Sequence, residues 1–279
     1  MIRLRGTATC GLAPLLLAAG TIAASAQAPG KTAAPACNQA GFRVIVDVGH
    51  TAGTPGAVSA RGVSEYEFNL RLAREVEQSL IGAGFPRTVL LISTERPRMG
   101  LFKRAARANS LSADLFLSIH HDSVPDRFLE SWEHDGARLH FSDRFKGHSI
   151  FVSNENADFR GSVLFARLLG KEMKARGLQY TPHYTEKFMG HRQRILVDAE
   201  TGVYRYDQLI VLRTTQMPAV LLEAGLIINR DEELELSSPA RQALIAAAVT
   251  DAVKAFCAVR TPHALPTAAA QPARLTGHP

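Results

Sequence analysis

The sequence predicts an α/β fold: a single domain with a twisted, mostly parallel or mixed sheet and helices on both faces. Two observations lead there. Short apolar runs of strand length alternate with stretches of helical periodicity, the pattern of a sheet covered by helices. Polar residues then gather where the apolar runs stop, at Asp47-Val48-Gly49-His50, at His120-His121-Asp122 and at Glu223-Ala224-Gly225. The strand ends of an open α/β sheet are where ligand sites form.

Each element has its own signal. Val44-Ile45-Val46 is a short buried strand that stops at Gly49. From Glu65 to Leu80, Phe68, Leu72, Val76 and Leu80 fall four residues apart with Ala73 beside them, one apolar helix face, and Gly82 and Gly84 end it. Val89 to Ile92 is a second strand, Leu101 to Ser110 a helix, and Leu115 to Ile119 a third strand. Ser149 to Ser153 is a further strand before a helix from Val163 to Lys174. Leu209 to Leu212 fits strand or helix, and Val220-Leu221-Leu222 after Pro218 fits a buried strand. Ser238-Pro239 supplies an N-cap and a first-turn proline, opening a helix that turns Leu244, Ile245, Ala248, Val249, Ala252 and Phe256 inward.

The two ends stand apart from this domain, expected over residues 41–258. Arg3 and Arg5, a leucine run through Leu15, Leu16 and Leu17, and Ala24-Ser25-Ala26 have the three parts of a cleaved signal peptide over residues 1–26. The apolar run is too short and too rich in small residues to span a bilayer well. A periplasmic or secreted protein with no membrane span after signal cleavage is therefore expected. Residues 27–40 are rich in alanine, proline and glycine and read as a linker, and residues 259–279 as a disordered tail. Loss of residues 1–26 removes two arginines and no acid, taking the net charge from +6 to +4. That mild positive charge suits anionic envelope polymers in a salt-screened way, and no basic stripe interleaved with aromatics suggests nucleic acid. Cys10 leaves with the signal; Cys37 and Cys257 flank the domain and either form a disulfide joining its ends or remain free thiols.

Two histidines and a carboxylate on rigid elements suit zinc, with a fourth position open to water and a further carboxylate to move protons. Adjacent strand residues face opposite ways, so His120 and His121 do not both reach one ion. Residue chemistry alone leaves blander readings open, since Glu65 also suits a helix first turn and Glu223 a buried ion pair.

The order VIVDVGH, GVSEYEFNLRLA, ADLFLSIHHDS and LIVLRTTQMPAVLLEAGLIIN, from about Phe42 to Phe256, resembles the zinc-dependent amidase_3 family of bacterial cell-wall hydrolases. Arg104 and Ala108-Asn109 resemble that family's arginine and Ala-Asn segment. The resemblance implies His50, Glu65 and His120 as zinc ligands and Glu223 as the catalytic carboxylate. It implies an N-acetylmuramoyl-L-alanine amidase acting on peptidoglycan, a monomer that works alone or with a protein activator. A zinc peptidase acting on stem peptides and an inactive peptidoglycan-binding regulator are the alternatives. Asn229 matches a family asparagine and reads equally as a helix N-cap with Glu232 three residues on, the reading favoured here.

The chain departs from the family at Val48, at Thr51-Ala52, at His121-Asp122 and at Leu226. Residues 180–206, rich in arginine, histidine and aromatics, are expected as loops near the cleft. Arg192 and Arg194 there either pair with peptide carboxylates or are solvated, and Trp132 and Tyr184 either stack on sugars or pack in a core or rim. Some relatives carry a long inhibitory helix after the third strand; Val124 to Gly147 is too weakly periodic to predict one.

Overall fold

In the computed structural model, residues 37–95 and 97–260 are described. The expected signal peptide, most of the linker and the tail from residue 261 lie outside them. The strands are β1 (Val44–Val48), β2 (Val89–Leu91), β3 (Leu115–Asp122), β4 (Glu130–His134), β5 (Ala137–Phe141), β6 (Ser149–Val152), β7 (Ile195–Asp198), β8 (Val203–Arg205) and β9 (Ala219–Leu226). The helices are α1 (Glu65–Gly82), α2 (Pro97–Ser110), α3 (Phe159–Ala175), α4 (Ile210–Thr214), α5 (Arg230–Ser237) and α6 (Pro239–Val259). Seven strands form one sheet in the order β2-β1-β3-β9-β6-β8-β7. The pairs from β2 to β9 are parallel, β6 meets β9 antiparallel, and β7 and β8 close the far edge as an antiparallel pair. A mixed sheet with helices on both faces is thus what forms.

Strand alternation decides which helix covers which side. Val44, Val46, Val48, Leu115, Leu117, Ile119, Val220, Leu222 and Ala224 share one core with the inward residues of α1, α3 and α6. Ile45, Phe116, Ala219 and Leu221 share the other with Ala108 of α2 and Val211 and Leu212 of α4. Helix α1 buries Phe68, Leu72, Ala73, Val76 and Leu80, as its spacing predicts. Each of the larger of these side chains contributes about 1.5–3 kcal/mol by leaving water.

Several boundaries moved. Helix α2 begins at Pro97, and α3 begins four residues before Val163 because Asp158 caps it, accepting from the Gly161 amide. Residues 209–212 resolve into the short helix α4. Leu244, expected inward, is half-exposed because it lies off the Ile245-Val249-Ala252-Phe256 stripe that α6 buries. By length and composition α6 is apolar enough to cross a bilayer, yet its buried stripe packs into the core beside α1 and α3.

Two strands in the 124–147 segment had no counterpart in the sequence reading. Strands β4 and β5 pair as a hairpin whose two loop residues, Asp135 and Gly136, both have positive φ (49° and 76°). That is the turn an Asp-Gly pair favours, because it matches strand twist. Among the described residues no long helix lies between β3 and β6.

At the opposite end, the linker expectation fails for residues 37–40. The Asn38 side chain accepts from the Gly41 amide, and Cys37 is bonded to Cys257 of α6 with a Cα–Cα distance of 5.2 Å. Helix α6 likewise runs to Val259, one residue into the expected tail.

Two stability outcomes follow. Replacing both cysteines through Cys37→Ser and Cys257→Ser costs about 2–5 kcal/mol in urea unfolding, and reduction of the wild type alters its gel mobility. Two free thiols in the native protein would end this expectation. Burial pushes the His148 imidazole down to about 4 from 6.5, so the unfolded chain binds the extra proton first. Its contribution is whole above pH 6.5 and is lost as pH falls toward 4, about 2 kcal/mol between pH 7 and pH 5. His148→Leu should flatten that part of the stability–pH curve; an unchanged slope would assign it elsewhere.

Candidate active site

The candidate site is assembled at the C-terminal ends of β1, β3 and β9. Strand β1 ends at Val48, and His50 follows in the left-handed region, with φ 65°. A non-glycine residue there costs about 1 kcal/mol or more, and something must hold it. Arg104 does so: reaching from α2, its guanidinium donates to the His50 carbonyl. Arg104 is itself fixed by Asp47 at 3.4 Å, and Asp47 accepts from the Ser118 hydroxyl at 2.7 Å.

Glu65 opens α1 and aims its carboxylate between two rings. One oxygen lies 2.9 Å from His50 Nε2 and the other 2.9 Å from His120 Nδ1. The Ala57 amide donates to the first oxygen and the Asn69 amide group to the second. Burial would raise the Glu65 pKa, but the hydrogen bonds and charges of the two imidazoles outweigh it and hold the group far below the usual carboxylate range.

One ligand atom from each of His50, Glu65 and His120 lies within 4.8 Å of the others, so the three can hold a metal ion. The fit is supported by donor chemistry, two imidazoles and an ionised carboxylate, and by two glycines that clear the space. A Cβ at Gly49 would sit 2.5 Å from the His120 ring, and one at Gly56, where φ is +80°, 2.4 Å from Glu65 Oε2.

His121 points the other way, as strand alternation requires. Its ring is buried on the α1 side, where Nδ1 lies 2.8 Å from Asn69 Oδ1 and burial pushes its pKa down to about 3. Asn69 therefore braces Glu65 through one end of its amide and His121 through the other. Sequence reasoning missed it, although its place four residues after Glu65 on one helix face was a usable signal.

Glu223 stands opposite His120 in the β3–β9 ladder and on the same face. Its Oε2 is buried and has no hydrogen-bond partner among the described residues. Burial, then the nearby Asp122 and Glu65 charges, push its pKa well above the ordinary value. Asp122 is raised to about 6 by burial, against the Tyr184 hydroxyl, which donates to it at 2.6 Å, and Arg192 at 3.7 Å. Beside these groups lies a cavity of about 460 Å³, walled by Arg192, Arg194, Tyr206 and Leu221. A smaller one, about 160 Å³, opens on the other flank at His50 and His120.

The undecided residues divide clearly. Tyr184 is buried, with its hydroxyl committed to Asp122, so it is a wall and not a sugar platform. Trp132 donates to the Ala60 carbonyl at 2.9 Å and stacks on His134, a rim position. Asn229 caps α5, accepting from the Asp231 and Glu232 amides, but Glu232 accepts from Leu226 and Gly147 and does not complete a capping box. Of the departures, Thr51 bonds Thr54 across a short turn and Leu226 packs with Val124 and Ile228.

Known proteins are similar to this chain in sequence and in fold. A provisionally named N-acetylmuramoyl-L-alanine amidase of Buchnera aphidicola subsp. Baizongia pistaciae is 22% identical over 76% of this chain and 95% of its own length. The amidase AmiC of Neisseria meningitidis serogroup B is 23% identical over 76% of this chain, which spans about half of it (52%). Among solved structures, the amidase Ami1 of Mycobacterium smegmatis superposes with a TM-score of 0.60 at 20% identity, over 80% of this chain and all of that one. The CwlD amidase of Clostridioides difficile, solved in complex with the GerS lipoprotein, superposes at 0.56 with 19% identity, over 78% of this chain and 100% of its own. Residues 44–255 match the family model described as N-acetylmuramoyl-L-alanine amidase, and the chain belongs to that family, Amidase_3.

Proposed function

We propose that this protein is a zinc-dependent N-acetylmuramoyl-L-alanine amidase, hydrolysing the amide between the lactyl group of N-acetylmuramic acid and the L-alanine of the stem peptide. The observation that carries the reading is the Glu223 carboxylate, with its Oε2 buried and unpartnered among the described residues, set in register beside His120 of the His50–Glu65–His120 cluster. A zinc ion bound to those three residues would supply the positive charge that polarises the scissile carbonyl and acidifies the attacking water.

The chain's own groups account for the proton traffic. Glu223 takes the proton of the attacking water and returns it to the departing amine of L-alanine. Glu65, held ionised by its two imidazoles, is matched to ligation and not to proton transfer. Arg104 keeps the His50 backbone in its unfavourable conformation, so the imidazole is in place before any ligand arrives.

The substrate assigns the location. Peptidoglycan lies outside the cytoplasmic membrane, and the Arg3/Arg5, leucine-run and Ala24-Ser25-Ala26 pattern would carry the chain there. We take the protein to act as a monomer, and a protein activator belongs to the reading as well, since CwlD was solved with a lipoprotein bound.

Glu223→Gln should retain zinc by elemental analysis and lose turnover by about 10²–10⁴-fold; wild-type rates in that variant would remove Glu223 from the chemistry. Zinc should raise the melting temperature of the apoprotein, and His50→Ala should abolish that rise, which independently checks the ligand set. Mass spectrometry of products from purified wall should find stem peptides with a free L-alanine amine. Cuts inside the peptide would favour a peptidase, and wall binding without release an inactive binder.

A further inference from the structure

The cavity beside Glu223 holds a cation that its own walls do not neutralise. Of the two arginines that line it, Arg192 is engaged by Asp122, at 3.7 Å, and donates to the Ser123 carbonyl. Arg194 has no carboxylate partner among the described residues. Its Nη1 donates to the His191 and Gln193 carbonyls at 2.8 and 2.9 Å, which fixes the side chain across the loop. Its guanidinium lies over the Tyr206 ring, 3.6 Å from the centroid. Its Nε is buried and unsatisfied.

A half-buried guanidinium that is clamped, stacked and without a carboxylate partner among the described residues is pre-organised for an anion at the cavity it lines. The cavity's volume, about 460 Å³, lies within the range of small-ligand sites. Glu223 lines the same cavity, so a group bound at Arg194 belongs to a molecule whose other end reaches the reacting amide.

We propose that Arg194 is the specificity residue of a stem-peptide subsite: the cavity takes the peptide side of the cut, and Arg194 receives the first free carboxylate beyond L-alanine. This rests on the amidase reading of the same site. In a stem joined through the side-chain carboxyl of its second residue, D-glutamate, that group is the α-carboxylate. Walls in which it is amidated present a neutral carboxamide at the same place. The protein therefore discriminates between free and amidated stems. Asp122 does not oppose this, because Arg192 and the Tyr184 hydroxyl already engage it.

The test compares two synthetic N-acetylmuramoyl tripeptides that differ only in a free or amidated α-carboxyl at the second residue. Rates are followed by release of the L-alanine amine, and binding of each free peptide is followed by calorimetry. The wild type should favour the free carboxylate about tenfold or more in kcat/KM, mainly through KM. Arg194→Gln should bring that ratio near one, and Arg194→Lys should restore part of it by keeping the charge. A wild-type ratio near one would overturn the inference and leave the amidase reading intact. So would Arg194→Gln slowing both substrates by the same factor, which is how a purely structural residue behaves. Cleavage within the peptide would overturn the amidase reading and the inference with it. No cleavage of either compound, together with peptide binding indifferent to Arg194, would do the same.

Discussion

A carboxylate has two oxygens at a fixed separation, and Glu65 uses one on each imidazole of the candidate metal site. Everything else in the site is arranged around that shared contact. Glu65 is the first residue of α1, so its position depends on how α1 packs, through Phe68, Leu72, Val76 and Leu80, on the sheet that carries His50 and His120. The hydrophobic core thereby sets the distance between candidate ligands on α1, on β3 and just past the end of β1. Repacking under α1 would displace the carboxylate relative to both rings at once. Sites borne on packed helices and strands hold such tolerances better than sites borne on loops.

The sheet also separates the labour of the site by face. His120 and Glu223 are ladder neighbours on the side of the cavity, while His121 is turned to the α1 side. The backbone of β3 thus places one imidazole in the candidate metal cluster and, one residue later, a second against Asn69 on the α1 side. Asn69 joins the two sides by contacting both Glu65 and His121. The neutral, deeply buried His121 is therefore part of how the carboxylate is held, through Asn69.

Much of this was legible in the residues because it is local. The four-residue spacing from Phe68 to Leu80 announces α1, and polar clusters after apolar runs announce the rim. Asn69 was missed, and Tyr184 and Arg194 were left between two readings each, since their partners depend on which distant strands become neighbours. The β4–β5 hairpin was overlooked for another reason. Its strands are half-exposed and weakly patterned, and the Asp135-Gly136 turn was the informative part. Strands β7 and β8 are only four and three residues long, too short to show a periodicity, and β7 is in addition a partly exposed edge strand. The cysteine pair shows the same limit, because proximity of Cys37 to Cys257 is a property of the folded sheet.

That pair has a consequence for how the chain comes into being. Its cysteines are 220 residues apart, so the bond encloses every strand of the domain. Cys257 lies on the last helix, which docks against elements from both halves of the sequence. Correct pairing thus awaits α6, which is made after every strand of the sheet, and the crosslink cannot guide the earlier steps. It acts as a seal on a finished product. A chain truncated before α6 would lack the seal altogether and present Cys37 as a free thiol, a chemical mark by which incomplete molecules differ from complete ones.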